Sequence, residues 1–299
     1  MRIVRYKENE QVYIAVVNGE EIKIAPHTTV AELLGEAKRS GLQTSVWINS
    51  QLNDWPVAGK TLDELQLQVP FELSEVWAAG VTYQRSREAR NYEATGGALD
   101  AETFYDKVYD ADRPELFFKS TPSRTVGTGQ AVAIRSDSNW QIPEPELGLV
   151  LNKEGELIGY TIGNDMSCRD IEGENPLYLP QAKVWKRSCA IGPALTLADT
   201  IDDVYSLSIR CRIIRDGVVV FEDAASLKQL KRSVDELISY LLRDNEIDNY
   251  TVLLTGTCIV PPNDFTLKEQ DEIEIEVEGI GKLSNVVNST TTKKKEMYT

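Results

Sequence analysis

Glu144 and Glu146, one residue apart in Pro143-Glu144-Pro145-Glu146-Leu147, and Asp165 in Gly163-Asn164-Asp165-Met166-Ser167 are the side chains of this sequence best arranged to do chemistry. In an extended strand residues i and i+2 point to the same face, so this spacing sets two carboxylates side by side. Such a pair repels unless a cation sits between its members. Pro143 and Pro145 fix φ near extended values and remove backbone donors, which stiffens the pair and predicts the edge of a sheet. Asp165 closes the apolar run Leu157-Ile158-Gly159-Tyr160-Thr161-Ile162, predicted as the next strand, and adds a third carboxylate. Three converging carboxylates form an all-oxygen donor set that suits Mg²⁺, Mn²⁺ or Ca²⁺ rather than zinc. On pattern alone a solvated acidic edge fits the same residues, since E-x-E is common in acidic chains.

Other chemistries have little to work with. The 299 residues contain one histidine, His27, just ahead of a predicted surface helix, so a triad or dyad needing imidazole would have to use it. Cys168, Cys189, Cys211 and Cys258 include no C-x-x-C pair; they read as small apolar fillers in a reducing compartment, with no zinc signature. A formal charge of −15, from 47 acidic and 32 basic residues, disfavours nucleic acid or an anionic membrane as partner. No segment reaches the apolar length of a membrane span, and the opening residues lack a signal core, so a cytoplasmic protein is expected.

The elements that must position the carboxylates are legible in outline. A hydrophobic content of 41% supports a packed core. Residues 12–17 and 21–24 flank Asn18-Gly19, the strongest short hairpin signal. Thr29 and Glu32 form a capping box ahead of a helix whose apolar face is Val30, Leu33, Leu34 and Ala37. A boundary near Pro70 predicts a small α/β unit over residues 1–72, then a larger domain over 73–289 opening on the buried strand 76–81, and a loose tail over 290–299. The polar stretch 83–114 carries a predicted helix over 85–92 and fits a lid about as well as a plain surface insertion; Arg85, Arg87 and Arg90 either close over an anionic substrate from it or, the preferred reading, form a solvated helix face. Asp216-Gly217 predicts a second hairpin, and Leu227, Leu230, Val234, Leu237, Ile238 and Leu241 predict one continuous helix. Strands are expected over 252–255 and 273–277.

Glu144-x-Glu146, the run Gly159-Tyr160-Thr161-x-Gly163-Asn164-Asp165-x-Ser167-x-Arg169-Asp170, Lys183 and Leu254-Thr255-Gly256-Thr257 together resemble the fumarylacetoacetate hydrolase superfamily. The resemblance implies a mainly β, α+β fold: a mixed β-sandwich roll with a small N-terminal α/β domain, assembled as a homodimer or homotetramer. It also implies one divalent ion, Mg²⁺ with Mn²⁺ or Ca²⁺ as substitutes, held by Glu144, Glu146 and Asp165. The stretches Arg113-Pro114-Glu115-Leu116-Phe117-Phe118-Lys119-x-Thr121-Pro122-Ser123-Arg124 and Glu172-Gly173-Glu174-Asn175-Pro176-Leu177-Tyr178-Leu179-Pro180-Gln181 are similar to its sugar-acid branch. Hydrolases of the superfamily carry a histidine and a glutamate on the helix after the first domain strand; here Ser86 and Ala89 stand there. Without that base, attack by water is disfavoured against elimination.

The implied activity is dehydration of a 2-keto-3-deoxy sugar acid, a 2-keto-3-deoxypentonate giving 2,5-dioxopentanoate. Lys183 is expected to take the C3 proton, its pKa depressed by the neighbouring divalent cation, and Glu115 to serve the leaving hydroxyl. Thr257, Lys119, Arg169 and Ser120 are the expected substrate contacts. The competing expectations are an acylpyruvate hydrolase, an oxaloacetate decarboxylase, or a non-catalytic keto-acid binder.

Overall fold

The computed structural model describes residues 1–95 and 108–290. Its strands are β1 (Arg2–Glu8), β2 (Gln11–Asn18), β3 (Glu21–Ile24), β4 (Gln66–Leu67), β5 (Val76–Gly80), β6 (Glu115–Ser120), β7 (Thr125–Val126), β8 (Val132–Ile134) and β9 (Gln141–Ile142). They continue with β10 (Pro145–Leu151), β11 (Leu157–Asp165), β12 (Ser167–Cys168), β13 (Cys189–Leu197), β14 (Ser208–Arg215), β15 (Val218–Ser226), β16 (Thr251–Leu254), β17 (Glu272–Val277) and β18 (Gly281–Ser289). The helices that matter here are α1 (Val30–Ser40), α2 (Thr44–Gln51), α3 (Gln84–Thr95), α4 (Arg169–Glu174), α5 (Leu179–Lys183) and α6 (Val234–Leu241).

Eleven strands form one sheet whose path runs β3-β2-β1-β13-β11-β10-β16-β5-β6, and five more form a second sheet, β15-β14-β17-β18-β8. Alternation along β10 shows how they stack. Leu147, Leu149 and Leu151 join Ile209, Cys211, Ile273, Ile275 and Leu283 of the second sheet in one core. Val150 faces the other way and packs with Leu33 and Ile48 of α1 and α2. A strand buried on both faces is apolar along its length, and this one is from Leu147 to Leu151, with Glu146 at its start the exception. The result is the expected α+β sandwich. The first 72 residues share it: β1 pairs with β13, and Ile3, Ile14 and Phe71 sit in one cluster with Ile191 and Val252. Among the described residues no helix is long and apolar enough to cross a membrane.

Both hairpins form where expected, Asn18 opposite Glu21 and Arg215 opposite Val218. The capping box at Thr29 is complete, the Thr29 side chain accepting from the Glu32 N–H. Two expectations are corrected. The proline-flanked strand is central, not an edge: β10 lies between β11 and β16, and Pro145 is tolerated because it is the strand's first residue. The helix expected over 227–241 is broken, because Ser233 caps a new N-terminus by accepting the Glu236 N–H at 3.1 Å, leaving residues 227–229 as a separate 3₁₀ turn.

All four cysteines are free and buried. Burial pushes the thiols of Cys168, Cys189 and Cys258 up to about 12, so none is a thiolate at neutral pH. Native protein at pH 8 is expected to show no fast reaction with a thiol reagent, and all four thiols after denaturation; a fast-reacting thiol in the native state would contradict this burial.

Candidate metal centre and its cavity

Sheet topology gathers the site at one end of the large sheet. Because β10 runs antiparallel to β11 and β16, and β5 parallel to β16, the start of β10, the ends of β11, β16 and β5, and the start of β6 converge. Each contributes a chemical group. Glu144 and Glu146 come from the start of β10, and Asp165 from the last residue of β11; one oxygen from each lies within 4.8 Å of the others. All three are buried. Lys183, at the end of α5, reaches in from before β13 and bridges Glu144 Oε2 and Asp165 Oδ2, the latter at 3.2 Å.

Close backbone packing shapes the walls. Gly256 holds φ at +94°, and a side chain there would strike Thr82 Oγ1 at 1.9 Å. Its N–H donates to Glu146 Oε2 at 2.7 Å, so the Thr255-Gly256-Thr257 turn fixes one carboxylate of the triad. Gly80 is equally constrained, since a Cβ would meet Glu115 Oε2 at 1.9 Å. Val81, with φ of +53°, turns β5 toward α3 in a conformation that β-branched residues rarely adopt.

The charges do not balance evenly. Burial raises the Glu146 carboxyl well above its ordinary range, and the neighbouring Asp165 and Glu144 raise it further. Burial also raises Glu144, although Lys183 opposes it. Asp165 is held below its ordinary value: burial pushes it up, but Lys119 and Lys183 together outweigh burial. Burial alone would lower Lys183, yet Asp165 and Glu144 reverse it, so with its carboxylate neighbours uncompensated this amine is held as ammonium. Three oxygen donors with one carboxylate lacking a cation partner fit a hard divalent ion, the chemistry expected of this set.

The cavity against the triad is lined by Ala79, Gly80, Val81, Ser86, Arg90, Phe117, Glu144, Glu146, Asp165, Lys183 and Thr257. Glu115 packs behind Gly80. Its Oε2 is buried without a hydrogen bond, and burial raises its carboxyl, with Glu172 adding to the effect and Arg90 opposing it. The proposed substrate contacts fall differently. Lys119 is fully buried behind the triad, 2.6 Å from Asp165 Oδ1 and donating to Met166 O at 2.8 Å, so it supports a ligand from the rear. Arg169 is buried with its guanidinium 5.5 Å from the Trp140 ring centre, away from the cavity walls. Ser120 is held in its own loop, donating to Thr121 O at 3.2 Å and accepting from Thr125 Oγ1 at 2.9 Å. Thr257 does line the cavity, but its hydroxyl donates to Ile259 O at 3.0 Å.

The sequence leaves Arg90 between a substrate-facing role and the preferred solvated face, and gives Ser86 no role beyond marking the missing histidine. Spacing of four puts Ser86 and Arg90 on one side of α3, and that side faces the cavity. Arg90 is 5% exposed and pairs with Glu172 of α4, which is 1% exposed. His27 lies elsewhere, 3.1 Å from Glu36 and edge-on to Trp47 and Trp55. The Gly96-Gly97 part of the polar excursion and residues 291–299 of the expected tail lie outside the described residues.

Comparison with known proteins agrees with this geometry. A probable 2-keto-3-deoxyxylonate dehydratase of Haloferax volcanii is 52% identical over 221 residues, 74% of each chain. A 2-dehydro-3-deoxy-D-arabinonate dehydratase of Saccharolobus solfataricus is 47% identical over 222 residues, again 74% of each. A solved 2-keto-3-deoxy-D-arabinonate dehydratase, complexed with magnesium and 2,5-dioxopentanoate, superposes with a TM-score of 0.81 at 36% identity, covering 98% of this chain and all of that one. The fumarylacetoacetate (FAA) hydrolase C-terminal family profile matches residues 76–288, and with the carboxylate triad, Lys183 and the strands that carry the carboxylates inside that span, the chain belongs to this family.

Proposed function

We propose that this protein is a divalent-metal-dependent dehydratase that converts a 2-keto-3-deoxypentonate to 2,5-dioxopentanoate and water. The observation that carries the reading is a cavity lined by three carboxylates and a lysine, with the Glu115 carboxyl packed behind its Gly80 wall and raised by burial, and the chain's one imidazole placed elsewhere. Removal of a C3 proton and departure of the C4 hydroxyl need a base and an acid, not an activated water. The dehydratase relatives and the solved complex with magnesium and 2,5-dioxopentanoate support the same substrate class.

Glu144, Glu146 and Asp165 would hold the metal. Bound there, Mg²⁺ supplies Lewis-acid polarisation of a C2 carbonyl. Lys183 is the C3 base, since its amine sits at the cavity floor beside Phe117. Glu115, whose carboxyl burial raises toward the protonated form, is the donor to the departing C4 hydroxyl. Tautomerisation of the unsaturated product then yields the C5 aldehyde. Ser86 and Arg90 face the polar end of the substrate, and Thr257 contributes through its backbone. We further propose a cytoplasmic homodimer or homotetramer. Four free cysteines suit a reducing compartment, and Val218, Val219 and Val220 on the edge strand β15 offer an apolar strip for a second copy.

The test is turnover of 2-keto-3-deoxy-D-pentonate and its L-epimer with Mg²⁺, trapping 2,5-dioxopentanoate. Product that disappears with chelator is the expected result; no product from either epimer, with cleavage of an acylpyruvate instead, would overturn it. Glu115→Gln is expected to lower kcat about 10²- to 10³-fold, with Mg²⁺ affinity unchanged by calorimetry. Wild-type kcat in that variant would remove Glu115 from the mechanism.

A further inference from the structure

Arg90 presents a problem that Glu172 solves. A buried guanidinium beside three carboxylates is a ready competitor for the metal. Opposite charges sharing a buried cavity attract strongly, so Arg90 is drawn toward the triad unless something nearer holds it. Glu144 feels both groups: Arg90 favours its ionised form and Glu172 opposes it. Arg90 Nη1 pairs with Glu172 Oε1, and Glu172 is itself fixed, its Oε2 accepting from Ser167 Oγ at 3.0 Å. Ser167 opens β12 two residues after Asp165 closes β11, so the tether is built onto the segment that directly follows one of the triad carboxylates.

We propose that Glu172 is a positioning residue that tethers Arg90 to the cavity wall, keeping its guanidinium off Glu144, Glu146 and Asp165 and turned toward an anionic keto acid. The proposal rests on the metal-centre reading of that triad. It predicts that Glu172, which is not a ligand, controls metal affinity through Arg90.

The experiment is calorimetric titration of the purified metal-free protein with Mg²⁺, with KM for the keto acid measured in parallel. Glu172→Gln, which keeps size but removes the charge, is expected to weaken Mg²⁺ binding about tenfold by releasing Arg90 onto the carboxylates, a coupling of the size that neighbouring charged groups show. Adding Arg90→Met to that variant restores Mg²⁺ affinity to within about twofold of wild type while KM stays raised, because the competitor is gone but so is the substrate contact. Glu172→Asp, which retains the charge, keeps near-normal Mg²⁺ affinity and serves as the test should the glutamine variant fail to fold. A purely structural role predicts that the double variant binds Mg²⁺ no better than the single one. That outcome, or Glu172→Gln with wild-type affinity, overturns the proposal. Wild-type protein that binds no Mg²⁺ overturns the metal-centre reading beneath it.

Discussion

Asp165→Asn is expected to destabilise the metal-free protein by about 3–5 kcal/mol, whereas Glu146→Gln leaves it unchanged or makes it more stable; both lose Mg²⁺ binding. The two ligands look alike in sequence but carry opposite electrostatic loads. Asp165 neutralises Lys119 and shares Lys183, and its carboxyl is accordingly held low. Removing its charge leaves Lys119, fully buried, without a carboxylate within ion-pair distance among the described residues. Glu146 has one backbone donor, and no cation within ion-pair distance among the described residues. Its raised carboxyl costs stability as pH climbs above the ordinary value of 4.5, so an amide there removes a penalty. Asp165 behaves oppositely: its contribution is present above its ordinary value and is lost as pH falls through its lowered one. The two variants therefore diverge most at neutral pH and least in acid. Urea denaturation in chelator at pH 7 and pH 4 checks this; equal destabilisation by both substitutions at pH 7 would mean that Lys119 does not depend on Asp165.

What could be read in the sequence followed from short-range geometry. Glu144 and Glu146 were legible because a strand has a period of two, and Asp165 because it ends an apolar run; the i, i+2 rule needs no knowledge of what lies across the sheet. The hairpins at Asn18-Gly19 and Asp216-Gly217 and the capping box at Thr29 were legible for the same reason. Depth was not legible. The period-two rule places Glu115 with Phe117 on β6, but the register against β5 breaks between Phe118 and Ser120, and Lys119, in that irregularity, ends at the rear of Asp165. Polarity misled over α3. Its three arginines favour a solvated face over a substrate-facing one, and only the docking of α4, far along the chain, buries Arg90 against Glu172. The position of β10 inside the sheet also had no local signal, because a proline at a strand's first residue fits a central strand as well as an edge.

Lys183→Met is expected to abolish turnover while binding Mg²⁺ at least as tightly as wild type, and this separation of binding from chemistry follows from where the amine sits. In the metal-free site its ammonium bridges Glu144 and Asp165, so it occupies the electrostatic role of a cation and competes with one. Removing it leaves Glu144 buried without that countercharge, which lowers the stability of the metal-free protein; an added divalent ion then restores more than it does in wild type. The thermal shift on adding Mg²⁺ is therefore larger in the variant. Turnover falls about 10³- to 10⁴-fold, the upper range for a positioned general base, because no other amine or imidazole among the described cavity residues can take the C3 proton. On the proposed mechanism Lys183 would serve as base only when another cation holds the carboxylates that otherwise favour its ammonium form, which would tie proton abstraction to metal occupancy. Mg²⁺ titration by calorimetry and by melting temperature, beside kcat for the keto acid, checks all three parts. A variant with weakened Mg²⁺ binding and a smaller thermal shift would make Lys183 a support for the ligands, and the base would have to be sought elsewhere.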